Sequence, residues 1–330
     1  NTAAGSSHSI AKHNPSSISS AKKIAAVQSA SQDQIKFDQL SEKYFESLFH
    51  NDPDAATVMG IHTYDNLAPD YSAGGIAEKI ASFKSYLKEF ESLSPDSLSP
   101  QGRIDRQLII SDIKSHLLMS DELRAWEKNP DMYSSDSSSM IYNLMTRDFA
   151  PLPDRLKSVI AREKMIPSML RAGKANVKNP PRIYTEIALS QLPGIIDFFT
   201  VSVPEKFKSV SDKDLQNEFT RVNADVIAQL KDYQKYLQDD LLPKSNGTFA
   251  FGADIYSKKL LYDEMVDAPL DKVLADGESE LKRLQKEFVE TAKAIDPTKT
   301  PLEVFVSISS EHPAPEKLIS SVSGVLNMLK

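Results

Sequence analysis

Residues 212–237 read DKDLQNEFTRVNADVIAQLKDYQKYL, and their pattern indicates the fold class. The apolar residues recur at spacings of four, three, four, four, three and four, which is the 3.6-residue period of an α-helix with one apolar face. They are Leu215, Phe219, Val222, Val226, Leu230, Tyr233 and Leu237. Asp212 precedes the run at the position of a helix N-cap. The stretch predicts a long amphipathic helix that packs on a core.

The same helical period continues on both sides of this stretch. Predicted helices lie near 35–51, 76–90, 104–117, 154–170, 182–203, 254–265, 269–295, 301–308 and 316–329. Only 244–252 has strand-like character, and it is too short to form a sheet by itself. We therefore expect an all-α protein with about ten long, partly kinked helices and no significant sheet.

Prolines and serines are expected to interrupt several of these helices. Pro167 lies inside one helical pattern and Pro193 inside the next. At Pro167 the helix either kinks or ends and restarts, because proline lacks the amide hydrogen that an interior position donates. Kinks of this kind accompany either a bend around a cavity or ordinary packing. The serine-rich segment 134–139 is interpreted as a polar connection.

Composition excludes several classes of function. The chain has 330 residues, 40% of them apolar, and a formal net charge of −7, which argues against a nucleic-acid groove. It contains no cysteine, so disulfides, thiolate catalysis and cysteine-type zinc sites are excluded. No window approaches 18 consecutive apolar residues, and we expect no transmembrane segment.

The first 33 residues differ from the rest of the chain. They contain nine serines and seven alanines, and four charged residues with a net charge of +2. Such a segment buries too little apolar surface to order itself, so 1–33 is predicted to be a disordered tail or tether. It is either a mobile tail or the remainder of an exported protein after removal of a signal or lipid anchor. One helical domain is expected over 34–330.

Catalytic motifs are not found in the sequence. Its six histidines include no pair spaced as in His-Glu-x-x-His, and it has no Gly-x-Ser-x-Gly or Walker loop. His116 stands beside Ile113 and Leu117 and is interpreted as a core histidine. The sequence thus predicts no catalytic residue, no metal ligand and no cofactor site in this chain.

A series of short segments follows a recognisable order along the chain. The segments are NDPDAAT at 51–57, GIHTYD at 60–65, RL at 155–156, IP at 166–167 with Leu170, NPP at 179–181, YTE at 184–186, QLPG at 191–194, GADIY at 252–256, LL at 260–261 and HP at 312–313. In their order and spacing, over about residues 34–330, the chain resembles a bacterial family, the domain of unknown function 885.

The resemblance implies an exported, periplasmic or lipid-anchored protein. Members of the family are longer than this chain and look like helical zinc metallopeptidases, similar to the carboxypeptidase Taq and angiotensin-converting-enzyme groups. Their His-Glu-x-x-His helix lies in the C-terminal half, so a peptide substrate and zinc are expected only for a full-length member. The apolar seam of the last helix, which runs to Leu329, agrees with a natural protein that continues.

Two functions are therefore considered. The first is the N-terminal, non-catalytic scaffold half of an exported zinc metallopeptidase-like hydrolase acting on peptides. The second is a complete helical binding or scaffold lipoprotein without catalytic activity. Under the first, Asp254, Tyr256, Tyr184 and Gln191 are candidate cleft-lining residues. The simpler interpretation of GADIY makes Asp254 a helix N-cap and places Tyr256 in the core.

Overall fold

The structure is a computed structural model that describes residues 32–329. No β-strand occurs among these residues, and one isolated bridge pairs Pro181 with Gly247. The all-α prediction is confirmed. The α-helices are α1 (Gln32–Asn51), α2 (Pro53–Val58), α3 (Ala73–Ser92), α4 (Pro100–Leu117), α5 (Asp131–Thr146), α6 (Leu152–Glu163), α7 (Ile166–Asn176), α8 (Arg182–Asp197), α9 (Val203–Phe207), α10 (Lys213–Tyr236), α11 (Gly252–Glu264), α12 (Leu270–Ile295), α13 (Pro301–Ser309) and α14 (Leu318–Met328).

The chain divides into two compact units between Val266 and Asp267. The prediction of one helical domain over 34–330 placed no boundary at this point. The predicted tail, 1–33, lies outside the described residues except for its last two. Those two, Gln32 and Asp33, are the first residues of α1.

The first unit contains two clusters of buried apolar side chains. The smaller joins α1, α3 and α4, where Tyr44 and Phe37 contact the edge of Phe90 with ring centroids 5.8 and 6.0 Å apart. The larger is formed by helices α5 to α10 and includes the predicted seam residues Phe219, Val226 and Leu230. Asp212 caps α10 as expected, because its carboxylate accepts from the Leu215 amide at 3.0 Å.

The serine-rich segment 134–139 is part of helix α5, so its prediction as a connection is wrong. Serine hydroxyls there donate to backbone carbonyls one turn back, as Ser134 does to Asp131 and Ser137 to Ser134, at 3.1 and 2.5 Å. The polar groups are therefore satisfied within the helix. Burial of Tyr133, Met140, Ile141 and Leu144 outweighs the modest helix preference of serine.

The two interior prolines have different outcomes. At Pro167 the chain ends one helix and starts the next, because α6 stops at Glu163 and Pro167 occupies the first turn of α7. Helix α8 instead continues through Pro193. It then widens into a π-helical turn, Phe198–Ser202, before α9.

Arg162 fixes the segment between α2 and α3 on the larger core. Its side chain is fully buried and donates to the carbonyl oxygens of Leu67, Met140 and Pro53 at 2.9, 2.8 and 3.1 Å. A further donation reaches the Thr57 hydroxyl at 2.7 Å. The guanidinium therefore satisfies oxygens from three separate parts of the chain.

One continuous helical stretch, Arg182–Phe207, is long and apolar enough to cross a membrane by length and composition, with a mean hydropathy of 1.3. The count of consecutive apolar residues missed it. Leu192, Phe199, Val203 and Phe207 of this stretch are buried in the larger core, and 28% of its apolar 18-residue window is buried.

The second unit has few buried side chains. Among its described residues only Ala292 and Val304 are buried, although α12 is 26 residues long. Phe288 of α12 and Phe305 of α13 contact each other at a centroid distance of 6.3 Å, and both remain about half exposed, at 46% and 55%. The capping box predicted for α13 is present, because Thr300 and Glu303 each accept from the backbone amide of the other.

Candidate functional site

A groove of about 590 Å³ lies between α5 and α8. Small residues, among them Ser138, Ser190 and Gly194, leave the space between the two helices, and larger side chains stand at its sides. The lining residues are Ser138, Ser139, Tyr142, Asn143, Ser190, Gln191, Gly194, Ile195 and Phe198. Their hydroxyls, amides and aromatic rings can bind a ligand by hydrogen bonds and apolar contact.

Gln191, one of the predicted cleft residues, lies in this groove. Its Oε1 accepts from the Ser135 hydroxyl at 3.0 Å, which directs the side chain toward α5. Asn143 is fixed on the other side, because its Nδ2 donates to Asp54 Oδ1 at 2.9 Å. The two amides are therefore oriented by neighbouring residues before any ligand arrives.

The other predicted residues occupy two places. Tyr184 is half-buried on α8, seven residues and hence two turns before Gln191, so the two share a helix face. Asp254 and Tyr256 lie on α11, which packs against α4; there the Ser111 hydroxyl donates to the Tyr262 carbonyl at 3.0 Å. Tyr184 is on the same helix as Gln191 but is not among the residues that line the groove, and Asp254 and Tyr256 lie together on a different helix.

The capping prediction for Asp254 is wrong. Helix α11 begins at Gly252, its N-cap is Phe251, and Asp254 is in the first turn. Gly252 has a φ of +82°, a left-handed conformation that glycine adopts without strain, and the helix starts three residues earlier than a cap at Asp254 would require. Tyr256 is 45% exposed rather than part of the core.

A second feature, which the sequence did not predict, is a hydrogen-bonded pair beside the groove, formed by the Tyr71 hydroxyl and the Asp136 carboxylate. The Tyr71 hydroxyl donates to Asp136 Oδ2, and both line a pocket of about 270 Å³ with Asp52 and Asp54. Burial raises the pKa of Asp136 to about 6, although the bond from Tyr71 lowers it; the nearby Asp52 and Asp54 raise it further. A carboxyl that titrates near neutrality can hold or release a proton.

No sequence signal identifies this pair. Tyr71 and Asp136 are 65 residues apart and meet only because α5 passes the segment that precedes α3. Burial also raises the pKa of the Tyr71 hydroxyl, so it remains protonated and acts as a donor. Asp52 and Asp54 belong to the 51–57 segment, which contributes to the family resemblance and predicted no site residue.

Zinc has no evident set of ligands within residues 32–329. No group of three or more His, Asp or Glu side chains is placed there to hold a metal ion. His116 instead stacks on Phe83, with ring centroids 4.7 Å apart and the rings nearly parallel, and it is half-buried. The described residues therefore do not fit a zinc centre, and we derive no zinc-dependent step for them.

This helical chain matches a known family of bacterial proteins. The family described as "Bacterial protein of unknown function (DUF885)" matches residues 53–328. The chain belongs to the DUF885 family. No curated protein matches it.

A solved structure shares the DUF885 chain's fold. It is described as "a putative lipoprotein of unknown function from Shewanella oneidensis" and aligns with a TM-score of 0.72 at 20% identity. The alignment covers 89% of this chain and 56% of that one, so this chain spans little more than half the length of that structure.

The geometry explains several of the family-like segments. In GIHTYD, Asp65 is buried and accepts from the Thr57 hydroxyl at 2.7 Å, while His62 Nδ1 lies 2.9 Å from its other oxygen. In NPP, the Pro180 carbonyl accepts from the Gly247 amide at 3.1 Å. These segments position backbone, whereas Gln191 in QLPG faces the groove.

Proposed function

We propose that this DUF885 chain is the non-catalytic scaffold half of an exported, metallopeptidase-like hydrolase that acts on peptides. One observation carries the proposal: in the part of the chain that the structure describes, the apolar side chains along α12 of the second unit are exposed. Residues Leu274, Leu281, Leu284, Phe288 and Ile295 of α12 are each about half exposed. Monomeric soluble proteins seldom expose an apolar stripe of that length, so further protein surface is expected to cover it.

Length supports the same proposal. The Shewanella oneidensis structure is longer than this chain, and additional protein of comparable length would supply the missing cover. Its description as a lipoprotein agrees with export. In this proposal the metal ligands and the general base belong to sequence outside the chain, and a bound zinc would activate water for hydrolysis.

In this proposal the groove between α5 and α8 binds the peptide substrate. Extended peptides present alternating amide hydrogens and carbonyl oxygens, and Gln191 and Asn143 carry amide groups that can pair with both. Tyr142 is 54% exposed beside them and offers an aromatic face to a side chain. This wall orients a peptide, and the catalytic groups act from the opposite side.

The first test is the coding sequence that follows residue 330. We expect it to continue and to encode His-Glu-x-x-His. A stop codon at that point would contradict the proposal and favour the alternative, a complete helical binding or scaffold protein.

The second test uses the protein that the whole gene encodes. We expect Gln191→Ala to raise the KM for peptide hydrolysis at an unchanged melting temperature, because the amide orients substrate and does not stabilise the core. Gln238→Ala is the matched control, since Gln238 is exposed and lies outside the groove. Equal KM values for the two variants would remove the groove from the proposal.

A further inference from the structure

A third pocket, here named the Trp126 pocket, shares no lining residue with the groove and shares Asp52, Pro69 and Tyr71 with the pocket of the Tyr71–Asp136 pair. It has a volume of about 380 Å³ and is lined by the C-terminal end of α1, one face of α3 and the turn that contains Trp126. That size suits a small organic molecule or a single side chain of a partner. Asn51 and Asp52 of the 51–57 segment line it, and the proposed hydrolase gives it no role.

Aromatic rings form much of its wall. Phe83 is buried and stacks on His116, while Tyr71 and Trp126 contribute further rings. The faces of such rings are negative and attract cations, most strongly for tryptophan. Two cations of the protein already show this preference: Lys79 Nζ lies 6.0 Å from the Phe83 centroid and the Arg124 guanidinium 5.0 Å from that of Trp126.

The backbone that presents Trp126 is unusual. Helix α4 widens at its end into a π-helical turn, Leu118–Glu122, and Arg124 then has a φ of +51°, which few non-glycine residues adopt. The indole Nε1 donates to the Ser120 carbonyl at 2.9 Å, which fixes the ring against this turn. Conformations of this kind cost free energy and are concentrated at binding sites.

Charge at the pocket is predominantly negative. Asp52, Asp70 and Glu78 line it, against the ammonium of Lys79, and the Arg124 guanidinium beside Trp126 is paired with Glu127 at 2.7 Å. None of these three carboxylates forms a salt bridge with any residue between 32 and 329. Burial lowers the pKa of His116, so it adds little positive charge at neutral pH. Aromatic walls with excess negative charge complement a cation that has an apolar body.

We infer that the Trp126 pocket binds a protonated amine carried on an apolar or aromatic body. The ammonium group pairs with Asp52 and Glu78, and the body packs between Phe83 and Trp126. Such a group is either a free aromatic amine or the side chain of a lysine in a peptide. This inference goes beyond the proposed hydrolase and does not depend on it.

Trp126 makes a direct test possible, because it is the only tryptophan in the chain. Phenethylammonium is titrated into the full chain while the tryptophan fluorescence is followed. We expect a saturable change, with affinity at least about tenfold higher than for the neutral phenylethanol, since two charge pairs contribute. Nα-acetyl-lysine amide, which keeps its side-chain ammonium, is titrated in parallel. Tighter binding of this compound indicates a lysine side chain of a peptide, and tighter binding of phenethylammonium indicates a free aromatic amine.

Two variants assign the effect to the carboxylates. Asp52→Asn keeps the cap of α2, because asparagine caps as well as aspartate, and Glu78→Gln changes an exposed residue; each should weaken binding about two- to fivefold. Asp154→Asn is the control with the same charge change outside the pocket. Absence of a saturable signal with both amines, equal binding of phenylethanol, or equal weakening by the control would overturn the inference.

Discussion

Arg162 and Thr57 are 105 residues apart in sequence, and Nη2 of the arginine donates to the threonine hydroxyl oxygen at 2.7 Å. The Thr57 hydroxyl in turn donates to Asp65 at 2.7 Å, so a buried chain of hydrogen bonds runs from α6 through α2 to GIHTYD. Asp54 and Asp65 lie 3.5 and 4.0 Å from the guanidinium and balance its charge. This polar connection joins the segment before α3 to the larger core.

Loss of Arg162 should therefore destabilise the first unit strongly. Arg162→Ala removes the guanidinium donor from the carbonyl oxygens of Leu67, Met140 and Pro53 and the positive charge beside Asp54 and Asp65, at a cost of about 3–5 kcal/mol in the free energy of unfolding. Arg162→Lys should cost less, but still measurably, because an ammonium cannot reproduce the planar fork of donors. Urea unfolding measures both. Arg171→Ala, an exposed position on α7, is the control and should change stability by no more than about 0.5 kcal/mol; a similar small effect at Arg162 would contradict the argument.

Local patterns predicted the helices because burial follows a strict period, as in α10. They failed at 134–139, where the serine hydroxyls donate to backbone carbonyls of the same helix. They also failed at Gly252, where a glycine with positive φ starts a helix. The candidate groove was predicted only through Gln191. The Tyr71–Asp136 pair and the Trp126 pocket combine residues from distant segments, and no spacing in the sequence records such contacts.

Two glycines should respond oppositely to the same substitution. A Cβ at Gly194 would meet nothing within 4 Å, so Gly194→Ala should stabilise the protein by about 0.5–1 kcal/mol through the helix preference of alanine. A Cβ at Gly247 would lie 2.3 Å from the Asn179 carbonyl oxygen, so Gly247→Ala must displace backbone and should destabilise. Thermal unfolding of both variants checks the pair. Destabilisation by Gly194→Ala would show that the groove is closed in solution.

Asp136 should make stability depend on pH. Its pKa in the folded protein is about 6, against roughly 3.9 in an unfolded chain. The folded state therefore binds the Asp136 proton more tightly than the unfolded chain does. The contribution of this group to the free energy of unfolding is full below about pH 4 and is lost as the pH rises through about 6. Asp136→Asn should remove that decline, which urea unfolding at pH 4 and pH 7 measures. Asp154→Asn should retain the parent's profile; an unchanged profile in Asp136→Asn would refute the assignment.

Glu163 should be replaceable by its neutral analogue. Its side chain is fully buried, both carboxylate oxygens lack a hydrogen-bond partner within residues 32–329, and burial raises its pKa well above the ordinary value. The folded protein then holds the proton while the unfolded chain loses it above about pH 4.3, so the acid destabilises increasingly as the pH rises. Glu163→Gln should match the parent at pH 4 and exceed its stability at pH 8. Lower stability of the variant at pH 8 would indicate an ionised Glu163 with a partner.

The second unit should not fold cooperatively when it is produced alone. Among its described residues only Ala292 and Val304 are buried, and a unit of this size needs a substantial core to offset the entropy of ordering its chain. A peptide of residues 267–330 should show partial helicity by circular dichroism, a broad thermal transition and binding of a hydrophobic dye to α12. Leu281→Glu places a charge on the exposed apolar face of α12. It should reduce dye binding without lowering helicity, because the Leu281 side chain is exposed and does not belong to a core. A sharp melting transition with little dye binding would show that the uncovered seam closes on itself, and the case for a covering partner would then fail.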